Sequence, residues 1–450
     1  MKRLPLLLIP LALLAALAGP AAPAQARVGL GAAHGFTPRQ VVVKFHGEGR
    51  GRALRLPPGV GVSETARALR RNPRVAYAQP NYLATASAVP VPFSLPNDPG
   101  TLGGASEAAT GAGDWTLKQW NFLPVSEGLA GRVPLSPGGI DAVDAWRNLD
   151  ELGRPGGEGV VVAVLDTGIA YRSQPPHFKR SPDFAAGQFV KGHDFAQNDR
   201  LPLDENGHGT HVAGTIGEKT DNGIGLTGIA YRAKLMPVRV LDRHGRGDAT
   251  QIAKGILFAV DHHAQVINMS FNFGCGKKVP VVDEALREAY ERGVVTVASA
   301  GNLGSEACVS EPATGPRVIA VGGTTEGGCL GNYSLAGSAV DVVAPGGGSP
   351  GPGCPSISSR PIYQVTLKGG VPDIFGIPGS YVGTSMAAAH VSGVAALILA
   401  SGVLGSPPSP QARVAGVTRR LRATARDLGL PKTQQGAGLI DAAAATNPLS

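Results

Sequence analysis

The 450-residue sequence predicts an α/β fold: a doubly wound, mostly parallel sheet covered by helices on both faces, preceded by a small α+β unit. Three observations carry this. Near-continuous β-branched runs alternate with helical patterns from Gly159 onward, as strands buried on both faces require. The stretch 385–400 is small and apolar on every side, so its helix belongs inside a large core. Several apolar runs also end in polar residues, at the strand ends where an open parallel sheet receives ligands.

Taken in order, residues 1–26 read as an export signal. Lys2 and Arg3 precede an apolar run over 4–17, and Ala24-Gln25-Ala26 offers a small-x-small cleavage site. That run is too short for a membrane span, so the expected mature protein is secreted or periplasmic and has no transmembrane anchor. Residues 27–95 form a small basic region and linker. Strands over 40–45 and 74–82 flank a helix over 63–71, and 85–113 is rich in Ala, Pro, Ser and Gly. Ten Lys/Arg against two Asp/Glu between Arg27 and Leu95, with Lys2 and Arg3 before them, exceed the chain's net +8. From Pro96 onward the chain is therefore slightly acidic, and the high pI gives no support to nucleic-acid binding.

The main domain, 96–450, holds the alternating pattern. Strands are expected over 159–165, 233–241, 265–271, 293–299, 317–321 and 339–343. Helices are expected over 208–217, 248–263, 280–292, 410–425 and 439–445. All four cysteines, Cys275, Cys308, Cys329 and Cys354, lie here. Their spacing fits no zinc site, and an oxidising compartment favours disulfides. Cys275 and Cys308 follow consecutive strands, which usually lie side by side and run the same way. This favours Cys275–Cys308 and leaves Cys329–Cys354.

The chemistry concentrates at four places. Ser385 opens the apolar helix, where free N–H groups and the helix dipole favour negative charge. The strand over 159–165 runs into Asp166-Thr167-Gly168, and a buried carboxylate there must be hydrogen-bonded. His208, between Gly207 and Gly209, begins a helix of small residues that leaves its ring uncrowded. Asn302 follows Ser299, Ala300 and Gly301 at another strand end, where an amide can donate to a developing oxyanion. Each alone has a plain structural reading: a helix cap, a turn Asp, a structural His, a turn Asn. His211 and His390 read as packed core histidines. A nucleophilic serine needs a base, and the base an orienting carboxylate.

Together, Asp166-Thr167-Gly168, His208-Gly209-Thr210-His211 and Gly383-Thr384-Ser385-Met386-Ala387 resemble the signature motifs of the subtilisin-like serine proteases, in that family's order, over about 96–445. The resemblance implies a subtilisin-like fold with Ser385 as nucleophile, His208 as general base and acid, Asp166 orienting the imidazole, and Asn302 with the Ser385 N–H holding the oxyanion. It further implies that Gly245, Arg246 and Gly247 clamp an extended polypeptide substrate against Ser270, Phe271 and Asn272, with Ser299, Ala300 and Gly301 as another wall. Asn272 stands where the family usually has glycine, and its side chain would restrict the pocket. Glu311 lies in a loop resembling the base or rim of that pocket, where it would favour a basic substrate side chain, although a solvated loop carboxylate is the expected reading. Ala389 replaces the family's usual proline.

No cofactor is implied for the chemistry. The run 221–226 resembles a calcium loop, in which Asn222, carbonyls of Ile224 and Leu226, and Asp183 would hold a structural ion. The basic region resembles the family's inhibitory propeptide, the chain's own intramolecular inhibitor, removed by self-cleavage between about Ala84 and Asp98. A monomer is implied. An esterase is disfavoured by the residue order and by the missing second glycine around Ser385. An inactive binding protein of the same fold is disfavoured because no triad member is missing.

Overall fold

The computed structural model describes residues 36–82, 93–103, 113–126, 132–304, 308–356 and 358–449. The signal-like segment 1–26 and most of the expected cleavage region lie outside the described residues. The chain divides into two compact units at Pro90 and Val91.

In the first unit, β1 (Phe36–Phe45) is flanked by β2 (Arg52–Arg55) and β3 (Val75–Tyr82) in an antiparallel sheet of order β2-β1-β3. Helix α1 (Val62–Arg70) packs on it. Val41 and Val43 point to one face by the two-residue period of a strand, and with Leu56, Ala66, Val75 and Ala78 they make a small core. The edge strand β2 is absent from the sequence expectation, because Arg-Ala-Leu-Arg carries too little apolar content to signal a strand.

The second unit is built on seven parallel strands: β4 (Val161–Asp166), β5 (His193–Asp194), β6 (Lys234–Arg239), β7 (Val266–Met269), β8 (Val295–Ser299), β9 (Ile319–Thr324) and β10 (Val342–Pro345). Their order is β10-β9-β8-β7-β4-β6-β5. Chain order reverses between β4 and β7, so the crevice beyond their carboxyl ends is where this topology receives a ligand. The central strands are buried on both faces. The helices of five residues or more in this unit, among the described residues, are α2 (Ala142–Glu151), α3 (His208–Gly217), α4 (Ala249–Asp261), α5 (Pro280–Glu291), α6 (Thr384–Ser401), α7 (Pro410–Thr424) and α8 (Ala442–Thr446). The short strands β11 (Thr366–Leu367) and β12 (Phe375–Gly376) form a separate hairpin.

Helix α6 packs against β7, β8, β9, β10 and α3, and every residue except Leu399 is buried. By length and composition it could cross a membrane; its burial makes it the core helix that its apolar surface predicts. Its polar side chains tie it to the sheet. Ser392 Oγ donates to Asn268 Oδ1 at 2.9 Å, Asn268 Nδ2 to Ser270 Oγ at 2.9 Å, and Ser270 Oγ to the Ser385 carbonyl at 2.8 Å. This buried chain of bonds sets the start of α6 against the end of β7. An unmet partner there costs about 1–3 kcal/mol, so the register is strongly specified.

The expected helix over 439–445 begins only at Ala442. Leu439 is extended and bridges Val343 and Arg426, and Asp441 caps the helix by accepting from Ala444 N at 2.8 Å. Helix α2, for which the sequence gives no expectation, buries Trp146, whose Nε1 donates to the Ile229 carbonyl at 2.7 Å. Cys275 is bonded to Cys308 and Cys329 to Cys354. Closing loops of these lengths contributes roughly 3–4 kcal/mol each on the chain-entropy model.

Candidate active site

Asp166 ends β4 and is fully buried. Its Oδ1 lies 2.8 Å from His208 Nδ1 and also accepts from Thr167 N at 2.8 Å. His208 is the first residue of α3, with its side chain 26% exposed, so one edge of the ring faces the carboxylate while the ring still reaches solvent. Gly209 follows because a Cβ there would run into the Gly168 carbonyl.

Both segments are stapled together by Asp204, which no motif in the sequence singles out. Its Oδ1 accepts from Thr167 Oγ1, Asn206 N and Gly207 N, and its Oδ2 from Thr210 N and Thr210 Oγ1. Thr167 Oγ1 in turn accepts from Gly209 N at 3.0 Å. The signal available for Asp204 is an acid in a polar run just before a helix start. Burial disfavours the His208 imidazolium, but the adjacent Asp166 charge, its hydrogen bond and the Asp204 charge outweigh that and raise the pKa above 6.5.

Ser385 lies in the first turn of α6 and is 9% exposed. Its hydroxyl donates to the Ser270 carbonyl at 3.0 Å. Asn302, exposed beyond β8, is oriented by Thr384: its Oδ1 accepts from Thr384 N at 2.9 Å and Thr384 Oγ1 at 2.8 Å. Thr384 Oγ1 also accepts from Gly301 N at 3.2 Å. With the amide oxygen so engaged, Nδ2 makes no hydrogen bond within the described residues and is available as a donor. Gly383, at φ +145°, is required here. A Cβ would approach Asn302 Nδ2 to 3.0 Å.

The fold thus brings Asp166, His208, Ser385 and Asn302 to the carboxyl edge of one sheet. A family model described as the subtilase family matches residues 157–438. The chain is a member of the subtilase family. It is 34% identical to a thermophilic serine proteinase of Bacillus sp. (strain AK1), over 76% of this chain and 67% of that protein. It is 36% identical to thermitase of Thermoactinomyces vulgaris, over 59% and 82%. Among solved structures, it resembles a protease of Pseudoalteromonas arctica PAMC 21717 with a TM-score of 0.61 and 30% identity, covering 79% of this chain and all of the other. This subtilase is accordingly a serine-type peptidase, and its family needs no cofactor for catalysis.

The expected substrate-facing residues fall into two groups. Gly245, Arg246 and Gly247 are exposed on a loop held by Asp242, whose Oδ1 accepts from Arg246 N at 2.9 Å and His244 N at 2.8 Å. Ser270 and Phe271 continue from β7, and Ser299, Ala300 and Gly301 are buried at the end of β8. Asn272 is exposed, and its Oδ1 accepts from Gly274 N at 3.1 Å, an Asx-type turn on its own loop. One expectation is corrected. Glu311 is neither solvated nor free: it is 2% exposed, accepts from Val279 N at 2.7 Å and pairs with Lys278 at 3.2 Å.

His211 and His390 are fully buried and uncharged. Burial pushes their pKa values down to about 3 and about 4. His211 stacks on Tyr381, and His390 Nε2 lies 2.8 Å from Asn121 Nδ2.

At the expected calcium loop, Asp183 accepts from Asn222 Nδ2 and Leu226 N, each at 2.8 Å. Asn222 Oδ1 accepts from Ile224 N at 2.9 Å. A second buried carboxylate, Asp98, accepts from Asn222 N and Asp221 N at 3.1 Å. No local pattern points to it, since 123 residues separate Asp98 from Asp221. Burial raises both carboxyls, that of Asp98 to about 6.

Proposed function

We propose that this subtilase is an exported serine endopeptidase, made as a precursor that processes itself, in which Asp166, His208 and Ser385 react and Asn302 stabilises the oxyanion. The observation that carries this reading is the 2.8 Å contact between His208 Nδ1 and a wholly buried Asp166, at the same sheet edge where Ser385, in the first turn of a buried helix, bonds the Ser270 carbonyl just beyond β7. Asp166 fixes the imidazole with its proton on Nδ1, so Nε2 is the base. Rotation of the Ser385 side chain away from the Ser270 carbonyl delivers its proton to Nε2 as Oγ attacks the scissile carbonyl carbon. The resulting oxyanion takes hydrogen bonds from Asn302 Nδ2 and Ser385 N–H. Collapse breaks the C–N bond, with His208 giving its proton to the leaving amine. Water then repeats the sequence and frees the acid.

The general base must be neutral. The acid limb of kcat/KM is therefore expected above pH 6.5, because Asp166 and Asp204 hold the proton on His208. For stability the sign is opposite: the imidazolium's contribution is full below about pH 6.5 and fades as pH rises through the higher folded value. Asp204→Asn should shift the acid limb to lower pH. A limb unmoved by that change would remove Asp204 from the electrostatics of the base.

Maturation is the most direct test of the whole reading. The basic unit acts as an inhibitor until cut from the peptidase domain, 96–450, between about Ala84 and Asp98. Bonds preceding proline are disfavoured there, since proline lacks the N–H and crowds the leaving group. Wild type and Ser385→Ala are expressed side by side in a host lacking exported proteases, and a phosphonylating reagent titrates the products. Only the wild type should lose the segment and take up one equivalent of reagent; equal processing of both chains counts against self-cleavage.

A structural calcium fits the residues near Asn222. Asp98 and Asp183 are buried carboxylates that, among the described residues, accept hydrogen bonds from neutral donors only, and charges so placed call for a hard cation. Asp98, Asp183, Asn222 and the Ile224 and Leu226 carbonyls would hold it, stabilising the fold without joining the chemistry. At a hundredfold excess over Kd it should add roughly 2.7 kcal/mol. Chelator should lower the Tm of the wild type and leave Asp183→Ala unchanged; equal response of both chains discards the site.

A further inference from the structure

Between the two reacting side chains the sequence makes an excursion that the chemistry above does not use. The hairpin β11–β12 stands against the residue preceding His208: Thr366 Oγ1 donates to the Gly207 carbonyl, and a Cβ on Gly207 would lie 3.3 Å from the Leu367 carbonyl. From β12 the chain returns through Tyr381 and Val382 to Gly383 and Ser385. The hairpin is braced rather than loose. Lys368 N donates to the Ile374 carbonyl at 2.8 Å, Lys179 N to the Pro372 carbonyl at 3.1 Å, and Lys179 Nζ pairs with Asp373 at 3.6 Å.

On this fixed support three aliphatic side chains face solvent, Val371 41%, Ile374 49% and Val382 40% exposed. Val371 and Ile374 share the turn between β11 and β12, where Ile374 N donates to the Val371 carbonyl at 3.1 Å. A Cβ on the adjoining Gly370 would lie 3.5 Å from the Asn206 carbonyl, and Val382 immediately precedes Gly383. These exposed apolar groups therefore adjoin the segments that carry His208 and Ser385. The peptidase reading assigns which part of a substrate would meet it. On that reading the acyl part would lie toward Gly245, Arg246, Gly247 and Ser270, Phe271, Asn272. The leaving amine takes its proton from His208, so the chain beyond it departs on the other flank, past Gly207 and the hairpin.

Resting on the peptidase reading above, we propose that Val371 and Ile374, with Val382, form an apolar rim that selects substrates carrying apolar side chains on the carboxyl side of the cleaved bond. The occupant is the leaving segment of an extended polypeptide.

The test uses the mature enzyme with three substrates of one acyl sequence. Two are internally quenched peptides that carry leucine or aspartate at the second and third positions after the cleaved bond. The third is an anilide with no residue there. Wild type is expected to cleave the leucine peptide with kcat/KM about tenfold above the aspartate peptide, the size of effect one apolar contact provides. The pair Val371→Asp and Ile374→Asp should abolish or reverse that preference, and Val371→Ser with Ile374→Ser should reduce it. Anilide turnover should stay within about twofold in both. No preference in wild type, or parallel losses on all three substrates in both pairs, overturns the proposal. Failure of wild type to cleave the anilide would instead count against the peptidase reading itself.

Discussion

Ser385→Ala is expected to fold as the wild type does and to hydrolyse peptide amides on the order of 10⁶-fold more slowly, the loss established for removal of the nucleophile in subtilisin itself. The fold should tolerate the change for a local reason. Among the described residues the lost hydroxyl makes one bond, to the Ser270 carbonyl, worth about 1 kcal/mol. The reciprocal bond, from Ser270 Oγ to the Ser385 carbonyl, involves only the backbone of residue 385 and survives. Alanine is also the best helix former at a position inside α6. The measurement is steady-state hydrolysis of a peptide anilide by purified variant, beside near-ultraviolet circular dichroism. Near-wild-type turnover by a preparation free of other proteases would falsify the assignment of Ser385.

Asn302→Ala should lower kcat by about 10²–10³-fold with little change in KM, the range established for the corresponding amide of subtilisin. The arrangement here explains why the loss should fall on kcat. Asn302 Oδ1 is already engaged by Thr384, so the donor is oriented before substrate arrives. On the proposed mechanism its bond would strengthen only as negative charge develops, making it a transition-state contact rather than a ground-state one. Thr384→Val, which keeps the amide but removes the bonds from and to Oγ1, should reproduce a smaller part of the same kcat defect. If Asn302→Ala raised KM and left kcat intact, Asn302 would be a binding residue instead.

The four candidate positions are legible in the sequence because each requires a residue type that its local surroundings do not explain in combination. An acid at a buried strand end, a histidine between glycines at a helix start, and a serine heading an apolar helix are local signals. What surrounds them is not legible. Thr384 reads as a helix cap, yet its hydroxyl bridges Gly301 and Asn302, which lie more than 80 residues away in the chain. Asn272 reads as added bulk at the pocket because it stands where the family has glycine, and only the fold shows its amide oxygen closing a turn with Gly274. Glu311 reads as a solvated loop carboxylate, and only packing shows it buried against Lys278 and Val279.

By itself the sequence determined the class of fold, the order of the main parallel strands along the chain, the buried character of α6, and the candidate residues for the proposed chemistry. These rest on periodicity and residue type, which are properties of short stretches. Tertiary structure alone decided the strand order β10-β9-β8-β7-β4-β6-β5, the Asp204 staple, the Ser392–Asn268–Ser270 register, the approach of Asp98 to Asn222, and the hairpin beside Gly207. Each of these is a contact between stretches distant in sequence. Such contacts form only when packing brings their partners within hydrogen-bond distance, and no local pattern encodes that distance.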